Sequence, residues 1–155
     1  MSVLTLYLDN SVIGGYFDTK FQQPTRMLWQ MAENGKCRFV ASAVTQQEAI
    51  LAPPNIVKLF AKTFPNSSDL LSLTSRPEDL AQAYVDAGIV TKKYVDDARH
   101  VAIATTNGVG VLVSWNFRHL ANYHRESGFN RVNTENGCPQ VRIISPQELV
   151  YEDDD

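Results

Sequence analysis

The 155-residue chain is poor in several things, and each shortage removes a class of function. It has two cysteines, Cys37 and Cys138, which are far apart and show no metal-type spacing. That excludes a disulfide scaffold or a zinc ribbon and fits two thiols in a reducing compartment. It has three histidines. His119 and His124 are separated by a step that does not stack on one helical face, and His100 lies in a different segment, so no zinc site assembles from them. No apolar run approaches the roughly 20 residues of a membrane helix, so no membrane association is expected. The N-terminus lacks the basic region and cleavage site of a signal peptide, which makes a cytoplasmic location the expectation. Cationic excess is missing too. Lys and Arg number 14 against 17 Asp and Glu, a formal charge of −3. That argues against broad, non-specific nucleic-acid binding. It leaves room for a local basic groove, or for a carboxylate cluster neutralised by a metal ion.

Phosphate-cradling glycine loops are also absent. Gly14-Gly15 is too short to hold a nucleotide, and Gly108 and Gly110 read as turn residues before a strand. A haloacid-dehalogenase-like phosphatase needs Asp-x-Asp at the first strand end, and Ser11 stands at the second position. A receiver domain needs an adjacent acid pair that the N-terminal segment does not supply. There is no internal repeat and no linker.

What is present is an alternation of short apolar runs and amphipathic stretches. Val3–Leu8, Arg38–Ser42, Val111–Ser114 and Val141–Ile144 read as strands. Asp69–Leu73 reads as a short edge strand or a loop. Met27–Glu33, Val44–Leu51, Ile56–Thr63, Pro77–Ala87 and Val95–Thr106 read as helices, several closed by Gly or stopped by Pro. Ser127–Pro139 is polar and rich in Asn and Gly, and reads as a mobile loop. Residues 1–150 form one domain on this reading, and Glu152–Asp155 is an acidic, frayed tail. Strands alternating with helices predict an α/β protein with a parallel sheet covered on both faces.

In such sheets ligands sit beyond the carboxyl ends of the strands. Asp9 ends the first apolar run. It is either the cap of a following helix, a task that suits Asn10 and Ser11 better, or one wall of an active site. Glu48 follows the second strand on the helical face of Val44 and Leu51, with Gln46 opposite. A glutamate between apolar neighbours is costly to bury unless something pairs with it, or the helix is rotated so that Glu48 sits at its boundary. Asp97 lies on the shoulder of the stripe Tyr94, Ala98, Val101, Ala102 and Thr105. Asp96 lies nearer the far side. Either acid would also favour a helix N-terminus. Ile103 falls on the back of that helix and points to a second covered face, such as a partner subunit. Three inward acids repel unless a cation or a proton intervenes. Oxygen-only donors suit Mg²⁺ or Mn²⁺, and such an ion supports phosphodiester hydrolysis.

Three segments, YLDNSVIGGYF, DDARHVAIATTNG and VLVSWNFRHLAN, together resemble PIN-domain proteins, above all the toxin ribonucleases of bacterial type II toxin–antitoxin modules. The resemblance runs in order from Val3 to about Leu149. It implies a three-layer α/β/α sandwich around a parallel sheet of about five strands. It implies a Mg²⁺- or Mn²⁺-dependent endoribonuclease, a small antitoxin partner and a homodimer. The family's first three acids fall on Asp9, Glu48 and Asp97, with Asp9 and Asp97 as the main metal ligands. Its strand-ending hydroxyl falls on Ser114. Its fourth acid falls on Asn116, whose amide oxygen can still coordinate a metal but brings no charge.

Arg118, His119, Arg125 and Arg131, with Lys92 and Lys93, could line a groove for an RNA backbone. Trp115, Phe117 and Tyr123 could stack on bases, although such residues more often serve a core or an interface. The competing reading is a catalytically inactive PIN-like module that binds RNA or protein. The acidic balance and Asn116 favour it, and the three inward acids argue against it.

Overall fold

A computed structural model describes residues 3–153. The elements run in the order β1 (Leu4–Leu8), α1 (Asn10–Gly15), α2 (Gln22–Glu33), β2 (Cys37–Ser42), α3 (Ala43–Ala49) and α4 (Pro54–Thr63). There follow β3 (Leu70–Leu71), α5 (Ser75–Asp86), α6 (Val95–Thr106), β4 (Val111–Val113), α7 (Tyr123–Glu135), β5 (Arg142–Ile144) and α8 (Pro146–Asp153). Short 3₁₀ turns occupy Ser67–Asp69 and Lys92–Tyr94. The five strands form one parallel sheet in the order β3-β2-β1-β4-β5.

Alternation along the strands builds the layers. Leu6 and Leu8 point to one face of β1, Tyr7 to the other; Phe39 and Ala41 oppose Val40 in the same way. Tyr7, Val40, Leu112 and Ile143 pack under α5, α6 and α7. Leu6, Leu8, Phe39 and Val113 pack under α1, α2, α4 and α8. The result is the α/β/α sandwich with five parallel strands that the sequence predicts. Its chain order reverses direction between β1 and β4, and in open α/β sheets ligands bind beyond the carboxyl ends of the strands at such a reversal.

Four expectations need correction. The stretch Ser127–Pro139 is not a loop, because α7 covers most of it. Its periodic residues Phe129, Val132 and Asn133 are buried, and its asparagines have fixed partners. Asn133 accepts from the Tyr84 hydroxyl, and Asn130 bonds both the N–H and the carbonyl of Val141. Second, α3 stops at Ala49, so Leu51 leaves the helical face shared by Val44 and stands 88% exposed. Third, Ile103 is fully buried within its own chain, in one cluster with Leu80, Ala81 and Tyr84 of α5, and needs no partner subunit. Fourth, α8 runs into the stretch read as an acidic tail, while Asp154 and Asp155 lie outside the described residues. Cys37 and Cys138 form no disulfide. Among the described residues no helix is long and apolar enough to cross a membrane.

Candidate active site

Asp9 stands at the end of β1, 4% exposed. Its Oδ1 accepts from the Ser11 hydroxyl at 2.6 Å and from the Val12 N–H at 3.3 Å. Its Oδ2 accepts from the Ser114 hydroxyl at 2.6 Å. Asp9, rather than Asn10 or Ser11, is therefore the N-cap of α1. The carboxylate also ties β1 to the residue that follows β4. Burial pushes its pKa up; the His100 charge and the two serine bonds pull it back, and Glu48 adds to the rise.

The β4 end is built on hydroxyls. Ser114 Oγ, besides bonding Asp9, accepts from the Asn116 N–H at 2.9 Å, and Ser11 Oγ accepts from the Trp115 N–H at 2.9 Å. Asn116 Oδ1 accepts from the His119 N–H at 3.0 Å, so this amide closes a turn. Trp115 is core: it stacks on Phe21 with ring centroids 4.3 Å apart and donates to Thr25 Oγ1 at 2.8 Å. Phe117 and Tyr123 stand 48% and 86% exposed.

Glu48 and Asp97 come from α3 and α6. Ser42 caps α3 and Thr45 bonds the Leu8 carbonyl, which fixes the helix against the end of β1. Asp97 is half-buried in the first turn of α6, while Asp96 is exposed and paired with Arg99 at 2.9 Å, the division that helical phase predicts. Burial, then the charge of Asp9, raise the Asp97 pKa to about 6; the His100 charge lowers it, and Glu48 and Asp96 add smaller rises. The coupling shows that Asp9, Glu48 and Asp97 lie within electrostatic reach of one another. Asp97 has no hydrogen-bond or ion-pair partner among the described residues.

Sequence reasoning passed over His100, weighing it only as a zinc ligand. It is 2% exposed, and its Nε2 lies 2.6 Å from Glu48 Oε1. Its Nδ1 lies 2.6 Å from the Tyr7 hydroxyl, which donates to Ser42 Oγ at 2.6 Å. Burial opposes a charge on the ring, but Tyr7, Glu48 and Asp9 outweigh it and raise the pKa well above the ordinary imidazole value. The available signal was its spacing: His100 lies one turn after Asp97 in a helix whose stripe is otherwise apolar.

The cationic residues differ in exposure. Lys92, Lys93, Arg118 and Arg131 are exposed. His119 stacks on Tyr94 with centroids 4.1 Å apart, and burial with the Arg125 and Arg118 charges lowers its pKa. Arg125 is held inward by a bond to the Ile89 carbonyl.

Among the described residues no three His, Cys, Asp or Glu side chains converge as a ready-made metal site. The donor chemistry nevertheless fits a hard cation. Mg²⁺ is commonly held by one or two carboxylates, with water and substrate phosphate completing its shell. Asp9 and Asp97, each with a raised pKa, supply two such oxygen donors.

No protein-family profile and no curated protein matches the chain. Among the solved structures that share its fold are two that align over most of its length. One is VapBC2 from Rickettsia felis bound to a DNA fragment from their promoter, with a TM-score of 0.53 at 12% identity over 92% of this chain and 98% of that one. The other is FitAcB from Neisseria gonorrhoeae, with a TM-score of 0.51 at 14% identity over the same shares. At these identities the likeness establishes the fold, a PIN-like α/β/α sandwich.

Proposed function

We propose that the chain is a metal-dependent endoribonuclease that hydrolyses RNA phosphodiester bonds, acting as the toxin of a toxin–antitoxin pair. Asp97 carries this reading. It is a half-buried, unpartnered carboxylate whose pKa is raised to about 6 beside two further acids. A site that served stability alone would gain from an amide there. A divalent cation explains the acid.

Asp9 and Asp97 would hold Mg²⁺ or Mn²⁺, which when bound supplies charge neutralisation at the phosphate and a more acidic water. The chain's own residues do the rest. Ser11 and Ser114 hold the Asp9 carboxylate in one orientation. Glu48 orients the attacking water and takes its proton as the water oxygen bonds to phosphorus and the bond to the leaving sugar oxygen breaks. Asn116 brings no charge, so one ion rather than two is the expected complement. Arg118 and His119 would contact the RNA backbone, with Lys92 and Lys93 extending the cationic rim. The likeness of fold to VapBC2 and FitAcB supports the reading at the level of scaffold. A small antitoxin and a second copy of the chain are the partners it implies. Ile50 and Leu51, 63% and 88% exposed just beyond Glu48, offer an apolar contact for either.

The test is cleavage of RNA by purified protein with Mn²⁺. Asp97→Asn should reduce the rate by at least about 100-fold. Cleavage that survives the substitution, or that proceeds equally with a chelator, sinks the proposal. One observation favours a non-catalytic binding module: the Asn116 side chain is already committed to a turn. Induced expression in a bacterial host separates the two readings. Growth arrest abolished by Asp97→Asn supports the nuclease, and arrest that persists supports binding alone.

A further inference from the structure

The protons between Ser42 and Glu48 can be counted. As the cap of α3, Ser42 Oγ accepts from the Val44 N–H at 3.1 Å, with the Thr45 N–H a longer contact at 3.4 Å, and its own hydrogen faces Thr45 Oγ1 at 3.5 Å, whose hydrogen goes to the Leu8 carbonyl. The Tyr7 hydroxyl spends its one proton on that same oxygen. Tyr7 oxygen can then only accept from His100, so Nδ1 carries a hydrogen. Nε2 faces a carboxylate oxygen at 2.6 Å, so it carries one as well. The ring donates at both ends.

The four residues close a loop through the fold. Ser42 and Glu48 lie at the two ends of α3, Tyr7 is on β1 two residues before Asp9, and His100 is on α6 one turn after Asp97. Every element that carries a site acid is thus bonded into the same chain of contacts. Glu48 needs such support. Its side chain is 38% exposed and has three rotatable bonds, whereas the His100 side chain is 2% exposed. One carboxylate oxygen, Oε1, is held from the interior. The other, Oε2, makes no hydrogen bond among the described residues and is left for water or substrate.

We propose that His100 is a positioning residue: with Tyr7 and Ser42 behind it, it clamps Glu48 Oε1 so that Oε2 is presented to the reacting water in a single orientation. The role rests on the nuclease reading; the clamp itself rests on the geometry. An unclamped glutamate would have to be ordered at each turnover, and misplacement by about 1 Å costs on the order of 100-fold in rate. Because His100 does not touch the substrate, its loss should appear in kcat and not in KM.

Two measurements test this. Steady-state RNA cleavage with Mn²⁺ should show kcat reduced about 10- to 100-fold in His100→Gln, with KM little changed. Tyr7→Phe, which keeps the ring but removes its backing, should show a smaller loss of the same kind. Nitrogen-15 NMR of the wild-type protein should show hydrogens on both His100 ring nitrogens, with the Nε2 signal displaced in Glu48→Gln. The NMR arm does not depend on activity or on the substitution of His100. A folded His100→Gln variant that matches wild-type kcat overturns the positioning role. A His100 ring with a bare nitrogen overturns the clamp. Wild-type protein that cleaves no RNA but shows both ring hydrogens overturns the nuclease reading and upholds the clamp.

Discussion

Asp97 shows what a single acid does to the whole fold. Its pKa is about 6 in the folded chain against 3.8 for an ordinary aspartate. The folded protein therefore keeps its proton while the unfolded chain has already released it. Stability should fall as pH rises through that window and level off above it. Asp97→Asn should flatten this slope and leave the protein about 1 kcal/mol more stable at neutral pH, the shift being discounted for the side chain's partial exposure. Urea unfolding at about pH 4 and about pH 7, with a chelator present, checks both the slope and its loss. The acid itself was legible in the sequence, because helical phase places Asp97 inward and Asp96 outward. Its lack of a partner was not, since that depends on which side chains other elements bring near.

At the scale of elements, the packing of α1 against the β4 end depends on one missing methyl group. A Cβ on Gly15 would lie 2.7 Å from the Trp115 ring and 3.0 Å from Thr25 Oγ1. The indole cannot retreat, since it stacks on Phe21 and donates to Thr25. Gly15→Ala should cost about 1–3 kcal/mol, read as a lowered midpoint of thermal unfolding. Gly128→Ala meets Ile89 alone, its flexible Cδ1 at 2.9 Å and its Cγ2 at 3.3 Å, and should cost less. Neither effect is written in the local sequence, where both residues read simply as glycines. The same limit explains α7. Its polar composition suggests a loop until Tyr84 and Val141, distant in sequence, are seen bonding its asparagines. The strands and α6 were readable because their periodicity is local and apolar. The pair of Glu48 with His100 was not, because it spans two helices with no pattern in common.

At the scale of the whole molecule, a cation that binds only the folded state adds to its stability. With free ion at about 100 times its dissociation constant the gain is about 2.7 kcal/mol. Mn²⁺ should therefore raise the unfolding temperature of the wild-type protein by about 5–10 °C. The rise should vanish in Asp97→Asn, and a midpoint indifferent to the ion in both proteins would count against the proposed site. The assembly has a comparable test. Since Ile103 is covered by its own chain, a homodimer must use other surface, and the adjacent exposed pair Ile50 and Leu51 is one candidate. Light scattering should return twice the mass of one chain, and Leu51→Asp should return the mass of one.

Asp9 does two jobs, and that bears on how such a site would decay. It caps α1 and joins β1 to Ser114, so stability alone gives reason to keep it in a descendant that has lost catalysis. Nothing of that kind protects Asp97. In a library selected only for soluble, folded protein, position 97 should drift freely to Asn, Ser or Ala, while position 9 should stay confined to residues that can cap a helix. On the proposed nuclease reading, an aspartate at position 97 is therefore the better marker of retained catalysis.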